Sequence, residues 1–423
     1  MRVNVSWAFG GNAVYAACQW LIFVLLVRAL PLADVGQFAY WIAVTGPVFV
    51  LANLRLRNLL ATRVSSPHGF GDYLAARFLT VTVAVAVSLS IGAAISRSVE
   101  SLILVALLTG AKACDGVGDI CHGLFQRELD MRSAAISLIT NGILSVMLVA
   151  VSVALCPTVR VAAGAYAAGS ALTLMGWDVR RMRRYALPGE CRVWVPGTLR
   201  AAGTLMRRAA PLGLSSGLGS LQINIPRYAV AAWLGPAAVA AFTALAYLAT
   251  FGNLIANATA QAALPVLARD LRTSPALYRK RLQTLVQAGV ALGATMVVAT
   301  VLFAQPALAV IYGAQVAVHH NVLIWLMTAA ALSYAFLFLG TASTARMRFG
   351  AQMLISACST VTVAASVIPL VSRYGLVGGA YALCAGAVVE CCAYVALTIH
   401  DLRSEARAPF QEHPVVAAQA CGQ

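Results

Sequence analysis

Long apolar segments dominate the sequence and limit what it can fold into. A helix needs about 20 mostly apolar residues to cross a bilayer, and the sequence supplies twelve such segments between turns rich in Pro, Gly and Arg. Hydrophobic residues make up 61% of the 423 residues and charged residues only 10%, which excludes an ordinary water-soluble enzyme. The predicted membrane helices cover residues 7–30, 35–56, 74–96, 101–124, 133–155, 161–178, 209–233, 237–264, 282–304, 320–345, 350–371 and 375–399.

The basic residues predict the orientation of these helices. Most of the 30 Lys and Arg residues fall in alternate turns, and the other side receives only Arg28, Arg97, Arg160 and Arg373. Since Lys and Arg accumulate in cytoplasmic loops, both termini are expected in the cytoplasm of a bacterial cell, with the chain in the inner membrane. The basic cluster from Arg180 to Arg184 either contacts anionic lipid headgroups or only anchors the topology.

Two halves of the sequence resemble each other. Val35-Gly36-Gln37-Phe38 aligns with Val239-Ala240-Ala241-Phe242, and Gly164-Ala165-Tyr166-Ala167 recurs as Gly379-Ala380-Tyr381-Ala382. Internal repeats are common in transporters, whose substrate sites lie between the repeats. We therefore predict an all-α integral membrane protein with two six-helix lobes, at residues 1–178 and 209–400. A basic cytoplasmic linker at 179–208 joins them, and residues 401–423 form a cytoplasmic tail.

The fourth predicted helix carries charges inside the membrane. At 100° per residue Lys112, Asp115, Asp119, His122 and Gln126 share an arc of about 80°, and charges at such depths are functional hypotheses by default. Lys112 is a candidate substrate ligand, and Asp115 and Asp119 are candidate ion-coupling residues. The alternative is a structural ion pair between Lys112 and Asp115 at the i,i+3 spacing.

The seventh predicted helix carries Ser216, Ser220, Asn224 and Arg227 on one face. Arg227 lies about eight residues, or ~12 Å, from the helix end, and its own helix offers no acid to neutralise it. The planar guanidinium suits bidentate binding of phosphate. Arg227, Asn224 and Ser220 are therefore candidate substrate ligands, although Arg227 could instead pair with Asp115, Asp119 or Glu390.

Uncharged polar residues occupy one face of two other predicted helices. The first helix carries Asn12, Tyr15 and Gln19, and the eighth carries Thr250, Asn253, Asn257 and Gln261. Amides suit sugar hydroxyls but also hold helices together. Asn12, Gln19, Asn253 and Asn257 are the predicted substrate ligands here. Glu390, in the last helix, is a third candidate for ion coupling.

Three stretches of sequence carry a resemblance to a known group. They are the segment from Asn12 that ends Val-Arg-Ala-Leu-Pro-Leu-Ala-Asp-Val-Gly-Gln-Phe, the stretch Pro211 to Asp270 with Pro226-Arg227-Tyr228, and Gln305-Pro306 through Ile311-Tyr312-Gly313. With this pattern residues 4 to 400 resemble the Wzx-type polysaccharide flippases of the MOP superfamily, which also contains the MATE exporters and the lipid II flippase.

The resemblance implies a V-shaped transporter of two lobes that works by alternating access. Its implied substrate is an undecaprenyl-pyrophosphate-linked oligosaccharide, moved to the outer leaflet for O-antigen or exopolysaccharide biosynthesis, with H⁺ or Na⁺ as the coupling ion. Similar flippases use cationic residues in the lumen for the pyrophosphate or acidic sugars, a role carried over to Arg227 and more weakly to Lys112. Implied partners are membrane lipids and, among proteins, the polymerase and glycosyltransferases.

Other functions are less consistent with the sequence. A MATE-like exporter of organic cations would need a cavity dominated by carboxylates, so it is the second candidate. A membrane polymerase, ligase or glycosyltransferase usually needs a sizeable outer loop, whereas the longest here runs only from Gln305 to His319. A non-transporting assembly protein would leave the intramembrane charges without a purpose. We expect no enzymatic activity, cofactor, metal site or nucleic-acid binding, since no nucleophile–base pair, phosphate loop or Cys/His metal spacing occurs.

Overall fold

The computed structural model describes residues 2–62, 69–96, 98–186 and 198–407, and within them the regular elements are all helices. Most of these helices extend several residues beyond the predicted apolar segments. Their bounds are α1 Arg2–Ala29, α2 Leu32–Ala52, α3 Leu56–Thr62, α4 Phe70–Ile95, α5 Val99–Arg127, α6 Met131–Leu155, α7 Val159–Thr173, α8 Val179–Tyr185, α9 Thr198–Leu234, α10 Pro236–Thr273, α11 Pro275–Tyr312, α12 Ala314–Ala317, α13 His320–Ala345, α14 Phe349–Tyr374 and α15 Leu376–Arg407.

The predicted fold class is confirmed. Ten helical segments of the described chain are long and apolar enough to span a membrane. The sixth predicted span corresponds to α7, which continues through one π-helical turn, Leu174–Asp178, into α8. The seventh corresponds to α9, 37 residues long. Helix therefore occupies both ends of the interval expected to be the linker, whose residues 187–197 lie outside the described chain, as do residues 408–423 of the expected tail.

Local sequence signals set several helix boundaries. The side chain of Asp130 accepts a hydrogen bond from the Ser133 N–H and begins α6, and Ser274 caps α11 in the same way, as N-cap residues do. Gly235 and Gly313 have φ angles of +82° and +90°, which glycine adopts without steric cost. Each of these two glycines separates consecutive helices.

The two halves fold into bundles with the same helix arrangement. In the first lobe α5 packs on α4 and α7, and α6 packs on α7; in the second, α13 packs on α11 and α15, and α14 packs on α15. The aligned sequence motifs meet within each lobe, since the Phe38 ring lies 6.2 Å from that of Tyr166, and Phe242 packs against Gly379. The internal repeat seen in the sequence is therefore a structural repeat.

The lobes touch closely at one end of the molecule. We call the end at which α1 begins the basic end, because most of the turns with Lys and Arg lie there, and the other the closed end. At the closed end Gly36 lies against Pro236, so close that a Cβ on Gly36 would come 1.7 Å from the Pro236 carbonyl oxygen. Arg28, at the end of α1, donates hydrogen bonds to the carbonyls of Val310 and Ile311 at the end of α11.

Candidate functional site

A cavity of about 920 Å³ lies between the two lobes. Its walls are mainly α1 of the first lobe and α10 of the second, and it reaches the α5–α6 turn at the basic end. Its volume is near the upper limit of about 300–1,000 Å³ for ligand pockets. It is lined by Ala8, Phe9, Asn12, Ala16, Trp20, Ala61, Gln126, Leu129, Met131, Tyr247, Thr250, Phe251, Asn253, Leu254, Asn257, Ala258, Gln261 and Ala262.

The structure brings three of the predicted substrate ligands into this cavity. Asn12 enters it from α1, and Asn253 and Asn257 enter it from α10. Asn12 donates one amide hydrogen to the Ala8 carbonyl, and Asn257 donates one to the Asn253 carbonyl. Both hydrogen bonds are 2.7 Å long. An amide group has a second hydrogen and an acceptor oxygen, so both side chains keep groups with which to bind a ligand.

Aromatic residues that sequence reasoning missed line the inner end of the cavity. The rings of Trp20 and Phe251 meet edge to face across the two lobes at 5.6 Å, and Tyr247 lies beside them in the cavity wall. Trp20 also donates a 2.9 Å hydrogen bond to the hydroxyl of Tyr312. The sequence did contain a signal that could have identified these aromatic residues. Trp20 follows Asn12 by two helical turns, and Tyr247 lies on the cavity-facing side of α10.

Lys112 and Asp115 form an ion pair that is not part of the cavity wall. Lys112 Nζ is 3.9 Å from Asp115 Oδ2, and 25% and 21% of the two side chains remain exposed. Asn141 donates a 3.1 Å hydrogen bond to Asp115. The rings of Tyr15, Tyr166 and Tyr247 surround this pair closely enough to interact with it electrostatically, and Gln19, another predicted ligand, lies next to Tyr166.

Arg227 belongs to the second lobe and, like Lys112, lies close enough to Tyr247 to interact with it electrostatically. Its Nη1 donates a 2.6 Å hydrogen bond to Asn224, which itself donates to the Ser220 carbonyl. No described carboxylate lies within 4.0 Å of Arg227, and its buried Nε has no hydrogen-bond partner among the described residues. This buried Nε–H group therefore keeps its capacity to donate a charge-assisted hydrogen bond to an anion.

Residues of α9 near its polar face contact α2 and the turn that follows it. Arg55, in the turn after α2, donates a 2.6 Å hydrogen bond to Ser216. Tyr228 donates a 2.6 Å hydrogen bond to the Ala43 carbonyl of α2. Ser220, Asn224 and Arg227 are not among the residues that line the cavity. Helical periodicity placed these residues on one face correctly but could not tell which neighbour that face would meet.

The other charges of α5 are paired within the first lobe. Asp119 accepts a 2.8 Å hydrogen bond from Arg77, whose side chain is fully buried, and lies 3.5 Å from Arg57. His122 lies 2.8 Å from the Ser137 hydroxyl and 3.5 Å from Asp178, which the π-helical turn buries. These contacts join α5 to α3, α4, α6 and the helix from α7 to α8.

Glu390 of α15 lies in a polar cluster of the second lobe. It is within hydrogen-bonding reach of Gln222 and Ser359, and Gln222 donates a 2.8 Å hydrogen bond to Ser359. Three helices, α9, α14 and α15, meet there. No described Lys or Arg lies within 4.0 Å of Glu390, so its charge has no cationic partner in the described part of the chain.

Asp130, in the turn before α6 at the basic end, connects that turn to α8. Arg181 donates a 3.1 Å hydrogen bond to it, and the hydroxyl of Tyr185 donates a second hydrogen bond to the same carboxylate oxygen. Partial burial would raise the pKa of the Asp130 carboxyl, but hydrogen bonds from Ser133, Tyr185 and Arg181 outweigh it and lower the pKa to about 2. Arg181 is thus occupied within the protein, whereas its neighbours Arg180, Arg183 and Arg184 are exposed.

Solved structures of similar fold are transporters. An inward-facing MATE-family multidrug transporter of the MOP superfamily matches with a TM-score of 0.73 at 14% identity, over 93% of this chain and 96% of that one. The lipid II flippase MurJ in an inward closed conformation matches with a TM-score of 0.72 at 11% identity, over 93% and 88%. A MOP superfamily transporter from Pyrococcus furiosus, described as having a binding pocket of reverse polarity, matches with a TM-score of 0.61 at 13% identity, over 94% and 95%. The predicted MOP-type fold is confirmed.

Sequence comparison agrees with the fold. The capsular polysaccharide biosynthesis protein CapF of Staphylococcus aureus is 22% identical over 382 residues, which is 90% of this chain and 94% of CapF. The profile of the family described as "Polysaccharide biosynthesis protein" matches residues 1–270, well over half of the sequence. The chain is therefore a multi-pass membrane protein that belongs to the polysaccharide biosynthesis protein family.

Proposed function

We propose that the protein is a flippase that moves undecaprenyl-pyrophosphate-linked oligosaccharide across the bacterial inner membrane by alternating access, for O-antigen or exopolysaccharide biosynthesis. Family membership and the name of the CapF relative support the link to polysaccharide. The fold shared with the lipid II flippase supports a lipid-linked substrate. The observation that carries the proposal is the cavity between the lobes, which extends to one end of the molecule only.

The distribution of basic residues gives the proposed direction. With both termini in the cytoplasm, the cavity faces the cytoplasm, where lipid-linked repeat units would enter it. The lobes at 1–178 and 209–400 would then rock about the closed end, and the contacts at Arg28 and Gly36 would separate when the cavity opens outwards. The polymerase and glycosyltransferases that handle the same lipid-linked sugars are the proposed protein partners, beside membrane lipids.

We assign the two parts of the substrate head group to two parts of the site. Asn12, Asn253 and Asn257 would bind the glycan in the cavity. Arg227 and Lys112, which belong to different lobes and both interact electrostatically with Tyr247, would bind the pyrophosphate once the lobes move. The unpartnered Nε of Arg227 supports this role, because an anion would satisfy it with charge-assisted hydrogen bonds. Gln19, Ser220 and Asn224 would position these groups.

Asp115 and Glu390 are the proposed sites of H⁺ or Na⁺ coupling. Neither makes a close ion pair, since Asp115 has Lys112 at 3.9 Å and Glu390 has only neutral neighbours within hydrogen-bonding reach. Asp119 was an equal candidate in the sequence. Its contacts with Arg77 and Arg57 favour a structural role, because an acid held by two arginines is a poor proton acceptor.

The cavity does not favour export of organic cations. No described carboxylate lines it, whereas a buried cation requires a negative partner to offset its lost hydration. The MATE-like structures show a shared fold, and the cavity walls of this chain lack the group that such a cargo would need.

The test is translocation of a fluorescent undecaprenyl-pyrophosphate oligosaccharide in proteoliposomes. We expect Arg227→Ala to reduce the rate by about tenfold to a hundredfold, since one or two charge-assisted hydrogen bonds of about 1.5–3 kcal/mol each are lost, and Arg227→Lys to restore part of it. Arg208→Ala, on the exposed surface of the same helix, is the matched control.

Three outcomes are distinguishable. Loss of transport in a folded Arg227→Ala protein supports both the flippase and its pyrophosphate site. Normal transport by this variant keeps the flippase and refutes the site. If the unaltered protein moves no lipid-linked sugar, the flippase is refuted, and efflux of organic cations is the next activity to measure.

A further inference from the structure

Charge is segregated within the proposed translocation path. The described residues that line the cavity between α1 and α10 include five side-chain amides, and none of those lining residues is Lys, Arg, His, Asp or Glu. The cations Arg227 and Lys112 are not among the lining residues, although each interacts electrostatically with Tyr247 of the cavity wall. The cavity wall thus offers only neutral hydrogen-bonding groups, and the positive charge of Arg227 and Lys112 lies outside it.

The amides come from both lobes and retain free hydrogen-bonding capacity. Asn12 and Gln126 belong to the first lobe, and Asn253, Asn257 and Gln261 to the second. Within the described chain, Gln126, Asn253 and Gln261 have no side-chain hydrogen bond, and Asn12 and Asn257 each use a single amide hydrogen. Each amide can both donate and accept, which matches a hydroxyl group that also does both.

The aromatic residues complete a surface suited to sugar rings. Trp20, Tyr247 and Phe251 present flat apolar faces at the inner end of the cavity, and a pyranose ring has an apolar face of C–H bonds. Their positions are fixed by packing between the lobes and by the bond from Trp20 to Tyr312. Pockets of this kind combine apolar walls with a few well-placed polar groups.

An ionised sugar would be poorly accommodated here. A carboxylate taken from water into the cavity loses hydration and finds amide hydrogens but no described cation among the lining residues. Unpaired charges are costly in such surroundings, while neutral hydroxyls exchange water for amide partners at little net cost.

We infer that the cavity is a binding site for an uncharged glycan, so that the oligosaccharide carried by this protein consists of neutral and N-acetylated sugars without uronic acids, amino sugars with free amines or acidic substituents. This inference rests on the proposed flippase function and deepens it. The only charge of the head group is then the pyrophosphate, which is handled by Arg227 and Lys112.

The test compares two matched substrates in proteoliposomes. One is an undecaprenyl-pyrophosphate trisaccharide of N-acetylglucosamine, galactose and glucose, and the other carries glucuronate in place of the terminal glucose. We expect the initial rate for the acidic substrate to be at least about tenfold lower than the rate for the neutral one. A tenfold ratio corresponds to a free-energy cost of only about 1.4 kcal/mol for the unpaired charge in the cavity. Equal rates, or a faster acidic substrate, would overturn the inference.

Cavity variants give a second readout. Asn257→Leu removes one amide and should slow transport of the neutral substrate, whereas Asn257→Lys supplies a cation and should raise the acidic-to-neutral rate ratio. Thr259→Ala, on the same helix but outside the cavity lining, should change neither rate. A ratio unchanged by Asn257→Lys in a folded protein would contradict the site.

The design separates failure of the inference from failure of the proposed function. If neither substrate moves with the unaltered protein, the flippase proposal fails. If both move equally, the flippase stands and the preference for an uncharged glycan is wrong.

Discussion

Arg28 provides a test of how the closed end is held. It extends from the last turn of α1, donates a 2.9 Å hydrogen bond from Nε to the Ile311 carbonyl, and bonds through Nη2 to the Val310 carbonyl. Those carbonyls belong to the last turn of α11, where helix carbonyls lack partners within the helix and carry partial negative charge. Arg28 therefore caps a helix of the opposite lobe, and the bonds must break when the closed end opens.

The size of the effect follows from these two bonds. A hydrogen bond to a charged group contributes about 1.5–3 kcal/mol when buried. Because Arg28 is exposed, screening by solvent reduces the combined contribution of its two hydrogen bonds to roughly 1–2 kcal/mol. Arg28→Ala should then shift the equilibrium between the lobe arrangements by about fivefold to thirtyfold. If the outward-open state starts at about 1%, it should rise to roughly 5–20%.

The assay is pulsed electron–electron resonance between spin labels at the closed end. Leu155, at the end of α6, and Val318, before α13, are 81% and 73% exposed, and the native cysteines would be replaced. The Arg28→Ala protein should show a new population at longer distance. Arg160→Ala is the matched control, because Arg160 pairs at 3.1 Å with Glu100 of its own lobe. Identical distributions for the two variants would refute the assignment of Arg28 as a contact that holds the lobes together.

Two further predictions concern stability. Gly36→Ala should lower the free energy of unfolding by about 3 kcal/mol or more, because the new Cβ would collide with Pro236. Thermal unfolding in detergent measures this change. Gly46→Ala is the control and should be neutral or slightly stabilising, because the space beside Gly46 is open. Asp130→Asn should lower the free energy of unfolding by about 1–2 kcal/mol. Glu128→Gln is the control and should change it less. Since folding lowers the Asp130 pKa to about 2, its contribution to stability is complete above about pH 4 and is lost as the pH falls towards 2. The difference in free energy of unfolding between the wild-type and Asp130→Asn proteins should therefore shrink over that window. A difference that does not change with pH there would contradict this.

The architecture was readable from the sequence because a bilayer imposes strict requirements. Each span must be apolar for about 20 residues and satisfy its own backbone hydrogen bonds, so hydropathy located the helices. Their ends were less predictable. A loop was expected from Gln305, yet α11 continues through Pro306 to Tyr312. A proline removes only one backbone donor, and packing against neighbouring helices can offset that loss.

The cavity was partly predictable for a related reason. Helical periodicity placed Asn12 on one face of α1 and Asn253 and Asn257 on one face of α10, and the structure puts these faces opposite each other. The position of Arg227 was not predictable to the same degree. Asn224 and Arg227 do share a helix face, as the periodicity predicted, but the packing of α9 on α2 is a long-range contact that no local pattern encodes.

The acids of α5 illustrate why shared periodicity does not imply shared function. Asp115 and Asp119 are one helical turn apart and were equivalent in the sequence. The neighbour of Asp115 is an amide, Asn141, together with a lysine at 3.9 Å, so its charge is only partly compensated. Asp119 instead meets Arg77, which is fully buried and would be left without its counter-ion if Asp119 were neutralised. A proton that binds Asp119 would therefore have to break a 2.8 Å ion pair with a fully buried arginine, whereas one that binds Asp115 would break only the looser 3.9 Å pair with Lys112. This difference supports the proposed choice of Asp115 over Asp119 for ion coupling.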